Sequence, residues 1–182
     1  GPAVGLPTRT EQGDLEFLIH CHQGEFPRAI LAPASIEDCF WLTAKAFNLA
    51  EKYQTPVIVL TDHFQAASFM TVEEFDTSKV KIDRGLLYSR PKSGREEYRR
   101  HLLTSNGISP RAFPGQEGVL VVTDSDEHDE AGHLTEDAQV RTDQVDKRLA
   151  KMAGLRKEIS PPMRYGDEKA DTLLIGWGST YH

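Results

Sequence analysis

Apolar positions along this chain follow a helical period in some stretches and run together in others, and each change marks an element. Leu15, Leu18 and Ile19 stand at i, i+3, i+4 with Phe17 beside them, which predicts a helix over 8–21 with one apolar face. Thr8 followed by Glu11 has the form of a capping box, Pro7 fits just ahead of it, and Gly24 supplies a stop. RAILA at 28–32 is a short apolar run closed by Pro33 and predicts a buried strand. Ser35 then caps a long helix over 36–53, with Phe40, Thr43, Ala44, Phe47 and Ala50 as its expected buried face. Pro56 opens VIVLTD, a second buried strand without polar alternation, and Asp62 starts a short helix through Met70. Strand, helix and strand at this spacing make a βαβ unit, so the two strands are expected to be parallel and buried on both faces.

Between 71 and 118 the pattern dissolves into polar residues and turn formers, apart from a short charged helix expected at 95–103. An irregular stretch of this length is usually functional or packs on a neighbour. GVLVVTD at 118–124 predicts a third strand. An acidic loop, SDEHDEAGHLTED, follows, and then a helix over 137–158 in which Val140, Val145, Leu149, Met152 and Leu155 recur near helical spacing. Pro161 and Pro162 break it, and ADTLLIGWGSTYH reads as a new strand and turn.

Composition narrows the function. Hydrophobic residues are 38% and charged residues 27%, ordinary values for a globular protein. A formal charge of −7 with no basic stripe argues against nucleic-acid binding. No apolar run is long enough to span a membrane. Cys21 and Cys39 are expected to be buried reduced thiols, which fits a cytoplasmic protein, and no CxxC pair points to a metal or cluster.

Three segments offer candidate chemistry. Gly1, Ala3 and Gly5 let backbone N–H groups approach a ligand, and Thr8, Arg9 and Thr10 add hydroxyls and a cation, although on spacing alone plain helix capping explains Thr8 better. Asp124, Asp126, His128, Asp129, Glu130 and His133 carry ligand atoms within ten residues, yet Gly132 and the density of acids suit a solvated turn better than a metal site. In HQGEFPR, Phe26 with Arg28 is either a partner contact or a connection whose ring tucks into the core.

GPAVGLPTRTEQGDL, HQGEFPR-AILAP, AEKYQTPVIVLTD and GWGSTY occur in one order, and together they resemble the alpha subunit of 2-oxoacid:ferredoxin oxidoreductases, closest to the 2-oxoglutarate type. The resemblance implies an α/β fold, a parallel sheet flanked by helices, that forms the second part of a pyrimidine-binding domain over 1–124, with the irregular insertion 71–118. An acidic loop, helix and linker would follow over 125–168, and 169–182 would begin a transketolase C-terminal-like domain. It implies oxidative decarboxylation of a 2-oxoacid to an acyl-CoA, with electrons passed to ferredoxin. The cofactors implied are thiamine diphosphate with Mg2+ and 4Fe–4S clusters, the metal and clusters being held by the beta subunit. The activating glutamate and a substrate-gripping arginine would precede Gly1, so no catalytic residue is expected here and the isolated piece is expected to be inactive. Thr8 matches the threonine of the Gly-Leu-Pro-Thr motif and would face substrate and thiazolium, placed by Gly5, Leu6 and Pro7. Where the family has Gly-Pro-Ser-Thr-Gly, this chain has Gly1-Pro2-Ala3-Val4-Gly5, and two hydroxyls are gone. That loss favours the alternative of a non-catalytic assembly module that keeps the fold.

Overall fold

In the computed structural model, which describes residues 11–91 and 97–181, the βαβ unit lies at the centre. β1 (Ala29–Leu31), α2 (Ile36–Tyr53) and β2 (Val57–Val59) form it, and the strands pair in parallel with Ala29 opposite Val57 and Leu31 opposite Val59. The helical crossover is what makes a parallel pair possible. Ser35 caps α2 by accepting from the Asp38 N–H at 3.1 Å, and the Asp38 carboxylate accepts from the Ala34 N–H at 3.1 Å. The helix stops at Gln54, a non-glycine residue at φ 50°, ψ 53°. Its side chain repays that conformation. Gln54 Nε2 donates to the Ser109 carbonyl at 2.7 Å, while Oε1 accepts from Arg100 at 2.9 Å.

The core comprises Ala29, Leu31, Ala46, Leu49, Tyr53 and Leu155, with Leu42, Val57, Val59, Ile108, Met152 and Ile159 packed on it. α2 therefore buries a different face from the one expected. Leu42, Ala46, Leu49 and Tyr53 are also one helical stripe, and small Ala46 lets the helix lie close to the sheet. The aromatic stripe is left open: Phe47 is 70% exposed, and Phe40, Thr43, Ala44 and Phe47 line a groove of about 750 Å3 with Val80 and Ile82. Phe40 stacks on Phe75 there, ring centres 4.3 Å apart. The strands are not buried on both faces either, since every residue of β2 is only half-buried.

Several predicted elements are shorter or missing. α1 spans Asp14–His20 and buries none of its residues; Phe17 is 69% exposed. The Glu11 carboxylate accepts from the Gly13 N–H at 2.9 Å just ahead of α1, while Thr8, the other half of the expected capping box, lies outside the described residues. α3 runs His63–Ala67 and ends short of Met70. Residues 97–103, 118–124 and 172–175 form neither helix nor strand, because a strand exists only through a ladder partner and none lies beside these runs among the described residues. Tyr98 instead serves the loops, its hydroxyl donating to the Pro110 carbonyl at 3.2 Å and accepting from the Ala112 N–H at 2.9 Å.

α4 (Ala138–Glu158) forms as expected, capped by Asp137, whose carboxylate accepts from the Gln139 and Val140 N–H groups. Its packing is more polar than its periodicity implies. Leu155 is buried, but so are Gln144 and Lys147, whereas Leu149 is 39% exposed. Lys147 Nζ donates to the His101 carbonyl at 2.8 Å and Lys151 Nζ to the Gln54 carbonyl at 2.7 Å, so ammonium groups fasten α4 to the 98–112 loop and to the end of α2. Both thiols are free; Cys21 is exposed and Cys39 half-buried, contrary to the expected burial.

Candidate functional site

Ligands of open parallel α/β sheets bind beyond the carboxyl ends of the strands. Leu60, Thr61 and Asp62 follow the end of β2 there, and Asp62 is only 5% exposed. Its carboxylate is divided between two tasks. Oδ1 accepts from the Gln65 N–H at 2.8 Å and caps α3; Oδ2 accepts from the Ser179 N–H at 2.7 Å. Burial works against the charge, but the hydrogen bonds from Gln65 and Ser179 outweigh it and hold the carboxyl below its usual pKa. Asp62 is therefore ionised at neutral pH and fully engaged, a holding group rather than a free base.

The turn it holds, a 3-10 turn at Gly178–Tyr181, is gripped from a second side by Gln12. Gln12 Nε2 donates to the Trp177 carbonyl at 3.1 Å, Oε1 accepts from the Trp177 N–H at 3.1 Å, and the Gln12 carbonyl accepts from indole Nε1 at 3.0 Å. Gly178 has φ 67°, and a Cβ there would stand 2.6 Å from Asp62 Oδ2, so this position needs glycine for both conformation and space. Gln12 of EQGDL and Trp177 of GWGST, far apart in sequence, thus meet in space.

Gln65 is the anomaly of this site. It is 8% exposed, and neither atom of its side-chain amide has a hydrogen-bond partner among the described residues. An amide buried in that state costs about 1–3 kcal/mol, which a fold tolerates for a reason. Gln65→Leu is accordingly expected to raise the melting temperature of the protein by a few degrees, measured by calorimetry; a lower melting temperature would show that the amide is satisfied.

Sequence reading pointed elsewhere within the described residues. Gly5, Leu6, Pro7 and Thr8 lie outside them. Phe26 and Arg28 lie at the amino end of β1, the opposite end of the sheet from Asp62. Phe26 is half-buried, with the Arg28 guanidinium 4.4 Å above its ring centre and the His22 ring edge-on at 6.0 Å. Arg28 also donates to the Leu18 carbonyl at 3.1 Å, so its polar end is used within the chain. In the acidic loop Asp129 Oδ1 accepts from the N–H groups of Ala131, Gly132 and His133, which pulls its pKa down and closes a turn. Among the described residues no three His, Cys, Asp or Glu side chains come together as a metal-ligand set. His128 instead lies against His101, ring centres 3.9 Å apart, and burial first, then His128, lowers the His101 pKa to about 3. Gln12 and the second oxygen of Asp62 were missed because their roles depend on backbone partners that spacing does not reveal, and Gln65 because its burial is set by the fold.

Comparison with known proteins returns a consistent picture. Residues 1–147 match the family model described as pyruvate flavodoxin/ferredoxin oxidoreductase, thiamine diphosphate-binding. The chain is 44% identical to the alpha subunit of 2-oxoacid:ferredoxin oxidoreductase 1 of Sulfurisphaera tokodaii, over 98% of this chain and 28% of that protein. It is 32% identical to the 2-oxoglutarate oxidoreductase subunit KorA of Mycobacterium tuberculosis, over 100% of this chain and 27% of that one. Among solved structures it resembles a 2-oxoglutarate:ferredoxin oxidoreductase from Magnetococcus marinus with 2-oxoglutarate, coenzyme A and succinyl-CoA bound, at TM-score 0.78 and 34% identity, covering 88% of this chain and 27% of that one. The chain thus spans little more than a quarter of the length of these relatives. Among the described residues no helix is long and apolar enough to cross a membrane.

Proposed function

This chain belongs to the thiamine diphosphate-binding family of pyruvate flavodoxin/ferredoxin oxidoreductases, the family its motifs resemble, and from that premise we propose that it is part of the alpha subunit of a 2-oxoacid:ferredoxin oxidoreductase. The observation that carries this reading is the clasp of Gln12 on Trp177 with Asp62 on Ser179. Two of the sequence stretches that resemble the family converge there, at the end of the sheet where a ligand belongs.

The substrate proposed is a 2-oxoacid, with 2-oxoglutarate first among them, as in the names of the M. tuberculosis and M. marinus relatives. Coenzyme A takes the acyl group and ferredoxin the electrons. Thiamine diphosphate, when bound, would supply the nucleophile and the electron sink that decarboxylation of a 2-oxoacid needs. The uncharged end of that cofactor suits a site with a buried, unpartnered amide and a close backbone turn, so Gln65 and the loop of Gly5, Leu6, Pro7 and Thr8 are the residues of this chain that would face it. Thr8 donates its hydroxyl to a 2-oxoacid oxygen and offsets charge that develops there. Mg2+, the diphosphate site and the 4Fe–4S clusters belong to the beta subunit in this reading, and the complex works in the cytoplasm. Phe26 and Arg28 are carried as a contact with that subunit.

The test is reduction of ferredoxin by the assembled complex on addition of 2-oxoglutarate and coenzyme A. Thr8→Ala should lower kcat on the order of 100-fold with an unchanged melting temperature; unchanged kcat rejects the role of Thr8. A second reading, an assembly module without activity, is favoured by Ala3 and Val4 standing where hydroxyls are expected. It predicts a complex that assembles and binds no 2-oxoacid.

A further inference from the structure

We propose that Asp62 is a positioning residue for 2-oxoacid turnover, acting through the 178–181 turn that it latches to the carboxyl end of β2; this rests on the functional reading above. Capping α3 engages only Oδ1. The other oxygen makes a bond the helix does not need, to an N–H group 117 residues away. Gly178 permits the approach, since any Cβ there would strike that same oxygen. Gln12 grips Trp177, just ahead of Gly178, through three hydrogen bonds. The turn is thus held simultaneously by the end of β2 and by the segment that continues from Thr8, and the unpartnered amide of Gln65 stands one helical step from the latch. A turn anchored at both Trp177 and Ser179 would keep a ligand beside it in register, and a displacement of about 1 Å there can cost on the order of 100-fold in rate.

Asp62→Asn separates the latch from the cap. Asparagine caps helices as well as aspartate, so one atom of the new amide keeps the bond to the Gln65 N–H. The other becomes an NH2 group and meets the Ser179 N–H, donor against donor. In the holoenzyme this variant is expected to raise KM for the 2-oxoacid about tenfold and lower kcat, while KM for coenzyme A and the melting temperature hold. Exchange of the Ser179 amide hydrogen, followed by mass spectrometry, should accelerate. Ser179→Pro deletes the donor instead of the acceptor and should reproduce the same split, which covers the case where Asp62→Asn does not assemble. Wild-type constants for both substrates in either variant overturn the proposal. So does a uniform loss, with both KM values and the melting temperature worsening together, because that is what a merely structural bond produces. Wild-type holoenzyme that reduces nothing on 2-oxoacid addition overturns the functional reading itself, a result distinct from any difference between wild type and variant.

Discussion

Gly107→Ala is expected to be among the most damaging single substitutions in the chain, at about 3–5 kcal/mol of stability. Gly107 closes the turn after Thr104 at φ 76°, a conformation that costs any residue with a Cβ about 1–2 kcal/mol. The larger share comes from α4. A Cβ at position 107 would press into the Lys147 carbonyl oxygen and stand 3.2 Å from the Lys151 backbone nitrogen, and a helix backbone cannot step aside. Gly115→Ala is the control. It has φ 86° with nothing within 4 Å of the added methyl, so it should lose only the conformational share. Calorimetry on the two variants separates the two contributions; equal losses would mean that the turn and α4 are not in close contact.

The second large effect is a dependence on pH with an unusual sign. Burial, followed by the neighbouring Lys151 and Arg100, lowers the Lys147 pKa to about 7; burial, followed by Arg100 and Arg148, lowers that of Lys151 to about 8. Glu130 is the carboxylate that partly offsets the charge at Lys147. Both ammonium groups are charged in the unfolded chain up to about pH 10. Between pH 7 and 10 the unfolded state therefore binds more protons than the folded one, and stability rises with pH. The slope approaches about 1.4 kcal/mol per pH unit for each lysine once it is neutral in the folded state. Above pH 10 the direction reverses. Burial first, then Glu158, pushes the Tyr53 pKa up to about 12, so the unfolded chain releases that proton sooner than the folded one. Melting temperatures taken at constant ionic strength from pH 7 to 11 should pass through a maximum near 10. Lys147→Met should flatten the rise without loss at pH 7, since it removes a desolvated charge and leaves the His101 carbonyl bonded to Gln144 at 3.2 Å. A flat profile in the wild-type protein would refute the burial of both amines.

The βαβ unit was legible in the sequence because its signals are local. Ser35 marks the start of α2, Pro56 marks the approach to β2, and the parallel sense follows from the length of the crossover. The face that α2 buries was not legible. Two stripes of the helix are apolar, and residue size favours Phe40 and Phe47, while close packing on a strand favours Ala46 and Leu49. GVLVVTD and TLLI have strand composition and form no strand, since pairing is settled by a neighbour and not by the segment itself. α4 misled in the other direction: its buried Lys147 amine donates to a carbonyl, and no period of apolar residues announces that. At the site, Asp62 was readable as a cap, but its second oxygen was not, because the Ser179 N–H it binds is a backbone group 117 residues away.

The span of the clasp has a consequence for the order in which the protein folds. Gln12 and Trp177 are 165 residues apart, whereas the β1–β2 ladder joins strands separated by a single helix. The equilibrium cost of the longer closure is slight, growing only with the logarithm of loop length. The kinetic cost is not, because contacts of high sequence separation must wait until the chain between them is ordered. The site should therefore form after the βαβ unit and after α4 has docked, and it should open before either of them loosens. Its hydrogen-bonded amides, Trp177 and Ser179, should exchange faster in the native protein than those of the β1–β2 ladder and of α4, yet slower than the unbonded loop amides around them, so the clasp is the first ordered contact to give way.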